Sequence, residues 1–582
     1  MHLESTFAKF RQNAIHIFVC SFLLSFILVT SSRAQSEVYT KWTARFDAAH
    51  AFDQPFAMAV DGKGNTFVTG QTCVANPCST VNQESLTIAY DSKGNVKWRA
   101  FLGQDANGLD VAVDAAGNVY VLSIFYPDSY LPEVVTAKYG PSGVRQWVDF
   151  IASKPSFFNN PSTAYRPVKL AVSPEGNVYV GITKVDQIPN PTPGSGPGTT
   201  INAIAFKYDT NGKQIWTKEA PPTPNQYNSA VSIRLDAAEN VYVLVFSLFN
   251  SQIHDSFIVK YDSNGNFLNT YGSSQLGTIA AFRVDASGNS YVAGGGSPQP
   301  PNGKEDRIVA KFSPAGVLDW LHDFGAEFPT IAQTASGTVV ASSFADLAVN
   351  SAGDVFVAQT LPGAIPSFGT FDISVVKFNS TGTIQWTSRF NGHSDDSDAD
   401  QAVAIAVNSG GYTYVTGYGS VGLATIKYDP NGKQIWAEVK SGPFPVSLAL
   451  SGGDVIVTAE ISSATTSADW ATIDYVQDAA KVSPTSLSFG NQKVGTVSAS
   501  KTVILTNTAE VPLAITGISI TGEFELTNNC PSTVAAGATC TFTVKFAPTQ
   551  LGGLAGTVTV HDNWSGSAVH PQTVQVTGTG TT

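Results

Sequence analysis

One short phrase recurs along the chain and restricts it to folds built by stacking a single small unit. It is an aromatic residue, a glycine four positions on and a tryptophan four positions after that. It reads Tyr90–Gly94–Trp98, Tyr139–Gly143–Trp147, Tyr208–Gly212–Trp216, Phe312–Gly316–Trp320, Phe378–Gly382–Trp386 and Tyr428–Gly432–Trp436. Lysine precedes the aromatic in every copy but the first, and Lys260-Tyr261…Gly265 keeps the turn but carries Asn269 at the tryptophan position. A unit repeated at this scale cannot bury its own apolar faces and must be covered by its neighbours.

A second phrase alternates with the first: apolar alternation, Asp or Asn, a Gly-Asn turn, then aromatic-Val. Examples are Asp61…Gly64-Asn65-Thr66-Phe67-Val68, Asp114…Gly117-Asn118-Val119-Tyr120-Val121 and Asp285…Gly288-Asn289-Ser290-Tyr291-Val292. Apolar alternation on both sides of such a turn makes a β-hairpin, so each unit holds two hairpins, or four antiparallel strands. The aromatics stand at 90, 139, 208, 261, 312, 378, 428 and 475, at intervals of 47 to 69 residues, the longer ones absorbing insertions such as the Pro/Gly-rich stretch 188–200. Recurring Asp61, Asp114, Asp236 and Asp285 read as turn caps bonding through their side chains to backbone.

Closing the units into a ring covers every face, and the chain ends suit closure. The last unit has apolar strands at 448–450, 454–457 and 471–475 but no glycine turn or tryptophan, while residues 41–46, Lys-Trp-Thr-Ala-Arg-Phe, resemble the fourth strand at 385–390. The expected fold is therefore all-β: an eight-bladed β-propeller over 36–478, completed by the N-terminal strand 39–46, or seven-bladed if the last half-unit is a linker. Trp42, Trp98, Trp147, Trp216, Trp320, Trp386 and Trp436 are expected to pack between blades, with sugar-stacking platforms as the alternative. Trp470 lies outside this register and is the propeller tryptophan left for a surface role.

Residues 1–34 read as a cleavable signal peptide: Lys9 and Arg11, an apolar run from 15 to 29, and Ser32-Arg33-Ala34 before Gln35. An uncleaved anchor is the alternative; no later stretch is apolar enough to span a bilayer. Cleavage moves the formal charge from −12 to −14, and an acidic chain without a basic cluster argues against nucleic acid and anionic lipid as partners. Cleavage also removes Cys20 and leaves Cys73 with Cys78 and Cys530 with Cys540. Export favours two local disulfides; a zinc site is the alternative, although no histidine stands near either pair.

The phrases Asp-x-x-Gly-Asn-x-Tyr-Val and Lys-Tyr-x-x-x-Gly-x-x-x-Trp resemble the bacterial β-propeller repeats of SBBP type, with Glu239 and Asn269 as departures. The resemblance implies the propeller fold and no single activity. After Ala480 the pattern changes to about seven short alternating strands over 482–582, which suits an immunoglobulin-like β-sandwich. Phe489-Gly490…Val494-Gly495, Leu505-Thr506-Asn507 and Cys540-Thr541-Phe542-Thr543-Val544-Lys545-Phe546-Ala547-Pro548 resemble the ASPM/SPD-2/Hydin group of Ig-like domains. In an exported chain this implies an adhesion, spacing or presentation module.

Motifs of catalysis are missing from the sequence: there is no His-Glu-x-x-His, Gly-x-Ser-x-Gly, phosphate loop or Cys-x-x-Cys. Asp396-x-Asp398-x-Asp400 is the best cation candidate, read against a solvated acidic loop, and His393-Ser394-Asp395 is read as loop. Gly212-Lys213-Gln214-Ile215-Trp216 resembles the blade ending of quinoprotein dehydrogenases, although adjacent cysteines and the calcium ligand set have no counterpart here. The sequence thus favours an exported monomer without cofactor or metal, a binding or scaffold protein of the bacterial envelope, surface or periplasm. Its propeller loops at 73–78, 188–200 and 392–400 would meet a protein or glycan ligand. The alternative is a propeller enzyme such as a quinoprotein-like dehydrogenase or a lyase.

Overall fold

Fourteen five-residue turns of one design set the frame of the first seven sheets. In each, the N–H of the first residue donates to the carbonyl of the fifth and the N–H of the fourth donates back to the first, as in Asp61–Asn65 and Asp209–Lys213. The fourth residue adopts positive φ, so glycine fills it everywhere except Glu239, at φ 58°. In most turns that open with Asp, its carboxylate caps the N–H groups two and four residues on, as Asp61 does for Lys63 and Asn65 at 2.9 and 2.8 Å.

The structure is a computed structural model describing residues 38–582 except 49–51, 74–82, 127–131, 154–161, 189–197, 222–225, 250–252, 273–275, 297–306, 325–330, 334–338, 342–343, 363–370, 393–399, 420–421, 462–467, 478, 510–511 and 564–571. Among the described residues it is all strand and connection, and no helix is long and apolar enough to cross a membrane. Seven four-stranded antiparallel sheets, each in chain order, span 54–104, 106–151, 162–219, 226–271, 276–323, 344–390 and 401–440. An eighth runs Pro443–Ser451, Asp454–Ile461, Asp469–Gln477 and then Val38–Phe46 from the other end of the chain, with Phe46 opposite Trp470. An extra two-stranded sheet, Ile331–Gln333 with Val339–Ala341, is not visible in the sequence pattern.

The first strand of every sheet lies against the first strand of the next, and Pro443–Ser451 lies against Gln54–Val60, so the succession returns to its start. The architecture is propeller-like. Each sheet is apolar on both faces, and the core is a series of clusters between sheets: one joins Tyr179 and Trp216 of the third to Ile233, Val243 and Tyr261 of the fourth. The joining strand is held by charge as well as by its ladder. Lys41 Nζ lies 2.6 Å from Asp454 and 3.3 Å from Asp474, both nearly buried. Burial pulls the Lys41 pKa down, but the two carboxylates outweigh it and the net shift is upward.

The C-terminal region packs a four-stranded sheet (Ala480–Ser483, Lys501–Asn507, Thr539–Phe546, Phe524–Asn528) on a five-stranded one that contains Ser486–Lys493 parallel to Thr573–Thr581. Val503, Leu505, Phe542, Val544, Val558, Val560, Val574 and Val576 form its core. Among the described residues nine strands stand where roughly seven were expected. Thr573–Thr581 escapes sequence reading because it carries just two apolar side chains; its Gly578 sits under the Phe546 ring, where a Cβ would stand 2.4 Å from the ring.

Candidate functional site

The residues of the repeated phrase meet across sheets, not within one. A Cβ on the turn glycine would collide with the tryptophan of the preceding sheet. It would stand 2.5 Å from the Trp98 indole at Gly143, 2.5 Å from Trp147 at Gly212 and 2.6 Å from Trp320 at Gly382. The indole N–H then donates to a carbonyl of that same turn: Trp98 to Pro141 at 3.2 Å, Trp147 to Thr210 at 3.1 Å, Trp386 to Pro430 at 2.9 Å. The aromatic before the turn completes the seat, with Trp98 and Tyr139 ring centroids 5.9 Å apart and Trp320 and Phe378 5.8 Å. The lysine works in parallel: Lys138 and Lys207 donate to Thr210 and Ser263, the carbonyls that Trp147 and Trp216 also reach.

The two ends of the chain follow the same rule. Trp42 of the N-terminal strand seats on Gly94 and donates to Ser92 O at 3.3 Å, while Trp436 donates to Gln477 Oε1 at 3.3 Å. Where Asn269 replaces tryptophan, its amide donates to Ala315 O at 2.9 Å and the Tyr271 ring covers Gly316. Trp470 corrects the surface role left open for it: it is 1% exposed and packs on Phe46, with centroids 5.6 Å apart, because its strand is the buried third strand of its sheet.

The turns all fall at one end of the sheets, so the second-to-third-strand and sheet-to-sheet connections share the other. Those connections vary widely: Gly419 and Gly422 are separated by two residues, whereas Gly296 and Arg307 are separated by ten. At this end Cys73 is buried at a strand terminus; Cys78, His393, Asp396 and Asp398 lie outside the described residues. Cys530 and Cys540 form a disulfide in the C-terminal sandwich.

Asp400, the described member of the acidic loop, is 1% exposed; its N–H donates to Phe371 O at 2.7 Å and its carboxylate accepts from Gly392 N at 2.6 Å. Asp53 repeats this geometry at another junction, donating to Ala468 O at 2.9 Å and accepting from Ala48 N at 2.7 Å, while Thr72 donates to its other oxygen. Asp53, Asp47 and Asp469 each offer a carboxylate oxygen within 4.8 Å of the others. Burial pushes the Asp53 pKa up to about 6 against the hydrogen bonds that lower it. One Asp53 oxygen thus holds Ala48 and the other holds Thr72 in the strand Thr66–Cys73, so Asp53 staples a connection to a strand end.

Sequence reading passed over a set of charges on the inner strands. Arg234 and Arg283 stand opposite Tyr242 and Tyr291 in their hairpins. The matching register position in the other six sheets is Ala59, Ala112, Ala171, Ala348, Ala406 or, opposite Ile456, Ala449. Arg234 donates to Ile233 O at 2.8 Å; Arg283 donates to Phe282 O at 3.0 Å and to Asp346 at 2.6 Å. Nearby, Asp110 accepts from Leu170 N at 2.9 Å and Lys169 at 3.2 Å, and Asp346 also accepts from Ile405 N at 3.4 Å. These backbone groups belong to first strands and point away from the second, so the charged side chains lie along the free inner edges of the ring. Only an unusual charge at an alanine position could have revealed them.

The family model described as "Abnormal spindle-like microcephaly-assoc'd, ASPM-SPD-2-Hydin" matches residues 478–568. No curated protein matches the chain. Among solved structures, the polysaccharide lyase Uly1 is similar at TM-score 0.40 and 10% identity, over 72% of this chain and 89% of that one. The β-propeller domain of the Trilobed protease from Pyrococcus furiosus is similar at TM-score 0.35 and 9% identity, over 75% and 96%. The ASH/PapD-like domain of human CEP192 is similar at TM-score 0.15 and 12% identity, over 18% and 85%. Residues 478–568 thus carry an ASPM-SPD-2-Hydin domain, placed after a propeller-like array of four-stranded sheets.

Proposed function

We propose that the chain is an exported binding or scaffold protein of the bacterial envelope or surface. In this reading residues 1–34 are a signal peptide, the eight sheets are the blades of one SBBP-type propeller, and the C-terminal domain presents it. The observation that carries the proposal is the asymmetry of the two ends. One end repeats a five-residue turn fourteen times, while the other varies from blade to blade in connection length. A rigid frame bearing variable loops on one face is how a fold carries specificity without changing its core. The Cys530–Cys540 disulfide fits an oxidising compartment.

The ligand class is a protein or glycan met by the loop face. Binding of the purified chain to envelope proteins and to a glycan panel tests it, with a variant whose 188–200 insertion is replaced by a short turn as control. Selective capture weakened in the variant supports the reading. Equal capture by both chains sinks it, as does turnover of a captured glycan, which favours the enzyme alternative.

A further inference from the structure

The inner edges of the ring carry an unbalanced charge. Arg234 and Arg283 occupy the same register position on adjacent first strands, where six other sheets have alanine. Placing two guanidinium groups side by side is unfavourable unless something negative lies between them. Arg283 has such a partner in Asp346, at 2.6 Å. Arg234 does not: its hydrogen bond goes to the Ile233 carbonyl, and among the described residues no carboxylate lies within ion-pair distance of it. Lys169 is already held by Asp110 at 3.2 Å. Three cations therefore face two carboxylates, and one positive charge remains, centred on Arg234. Burial and the neighbouring Arg283 charge lower the Arg234 pKa to about 10, while Asp110 and Asp346 oppose the shift. At neutral pH the group is still charged.

We propose that Arg234 and Arg283 form a binding site for a small monocarboxylate in the channel enclosed by the inner strands. One negative charge neutralises the residual cation, and a planar carboxylate matches the fork of a guanidinium that has N–H groups to spare. Both a sugar acid and a hydroxy acid have this chemistry. The site is separate from the loop face, and its fate is independent of what the loops bind.

Calorimetric titration of the purified full chain with glucuronate, lactate, glucose and inorganic phosphate tests the proposal. The expected result is one-to-one saturation by a carboxylate and none by glucose, with Arg234→Gln weakening it at least about tenfold. Asp110→Asn removes a competing negative charge and should shift affinity the opposite way; it decides the matter if the arginine variant fails to fold. Saturation by glucuronate alone identifies a sugar acid, and saturation by both acids a carboxylate site of wider range. Failure of both acids to saturate by about 50 mM overturns the proposal. So does binding of phosphate but neither acid, or binding that both variants leave unchanged.

Discussion

The Tyr179 hydroxyl donates to the carboxylate of Glu239, which belongs to the next sheet and stands where thirteen other turns have glycine. In neighbouring units the equivalent tyrosine bonds to the aspartate of its own turn, as Tyr120 does to Asp114 at 3.0 Å and Tyr242 to Asp236 at 2.9 Å. Tyr179 has no such partner because its turn opens with Ser173. Glu239 supplies the missing carboxylate from across the interface, and Asn177 and Lys207 converge on it as well. Two departures from the repeat are thus one compensated change.

Glu239→Gly should therefore destabilise the chain although it restores the repeat. Relief of a positive φ returns about 1 kcal/mol, while stranding the Tyr179 hydroxyl and its neighbours costs about 2–3 kcal/mol. Adding Ser173→Asp should recover the loss, whereas Ser173→Asp alone should not stabilise. A double-mutant cycle by denaturant melting measures the coupling, expected at about 1–2 kcal/mol; additive effects would refute the compensation.

Burial works against the Glu239 charge, but the Tyr179 hydrogen bond and its companions outweigh it and bring the pKa down to about 2. A lowered carboxylate pKa gives stability that is complete above the unfolded value, near 4.5, and lost as pH falls towards 2. The wild type should lose more stability than Glu239→Gln between pH 5 and 3 (about those limits) in thermal melts.

Turn glycines should divide into two classes on substitution by alanine. Gly143 and Gly117 have φ of 82° and 85°, but a Cβ at Gly143 meets Trp98 at 2.5 Å while one at Gly117 meets nothing closer than 3.7 Å. Gly117→Ala should cost the left-handed penalty of about 1 kcal/mol. Gly143→Ala must also displace the indole and should cost about 3 kcal/mol or more. Equal melting temperatures for the two variants would contradict the seat described for Trp98.

Lys41→Met should loosen the N-terminal strand. It leaves Asp454 and Asp474 facing each other without their cation, at a cost of about 3–5 kcal/mol. Burial first, then the Asp454 charge, push the Asp474 pKa up to about 7 despite Lys41. For a raised carboxylate the sign is reversed: its contribution is complete below the unfolded value near 3.8 and is lost as pH rises through about 7. Asp474→Asn should flatten the decline in stability between those values, which melting followed by tryptophan fluorescence would reveal.

Reducing the Cys530–Cys540 bond, or replacing both cysteines with serine, frees a loop of sequence separation 10. The expected cost is about 3 kcal/mol, confined to the C-terminal sandwich. Hydrogen exchange should speed up in Thr539–Phe546 and leave the eight sheets unchanged.

The sequence determined what depends on spacing along the strand. Glycine is required where φ is positive and alternation decides which faces are buried, so turns and strands are legible in phrases such as Asp61–Val68 and Tyr208–Trp216. It could not say that Trp98 serves Gly143 and Tyr139 instead of its own turn, because contacts between sheets depend on how the sheets are set side by side. For the same reason Trp470 reads as a surface residue, and the strand at 573–581, with two valines and two threonine-flanked glycines, does not read as a strand. Only the tertiary structure could pair Ser173 with Glu239 or bring Arg234, Arg283 and Asp346 to one inner edge. Those residues are distant in sequence, and their charges matter only once low-dielectric neighbours surround them.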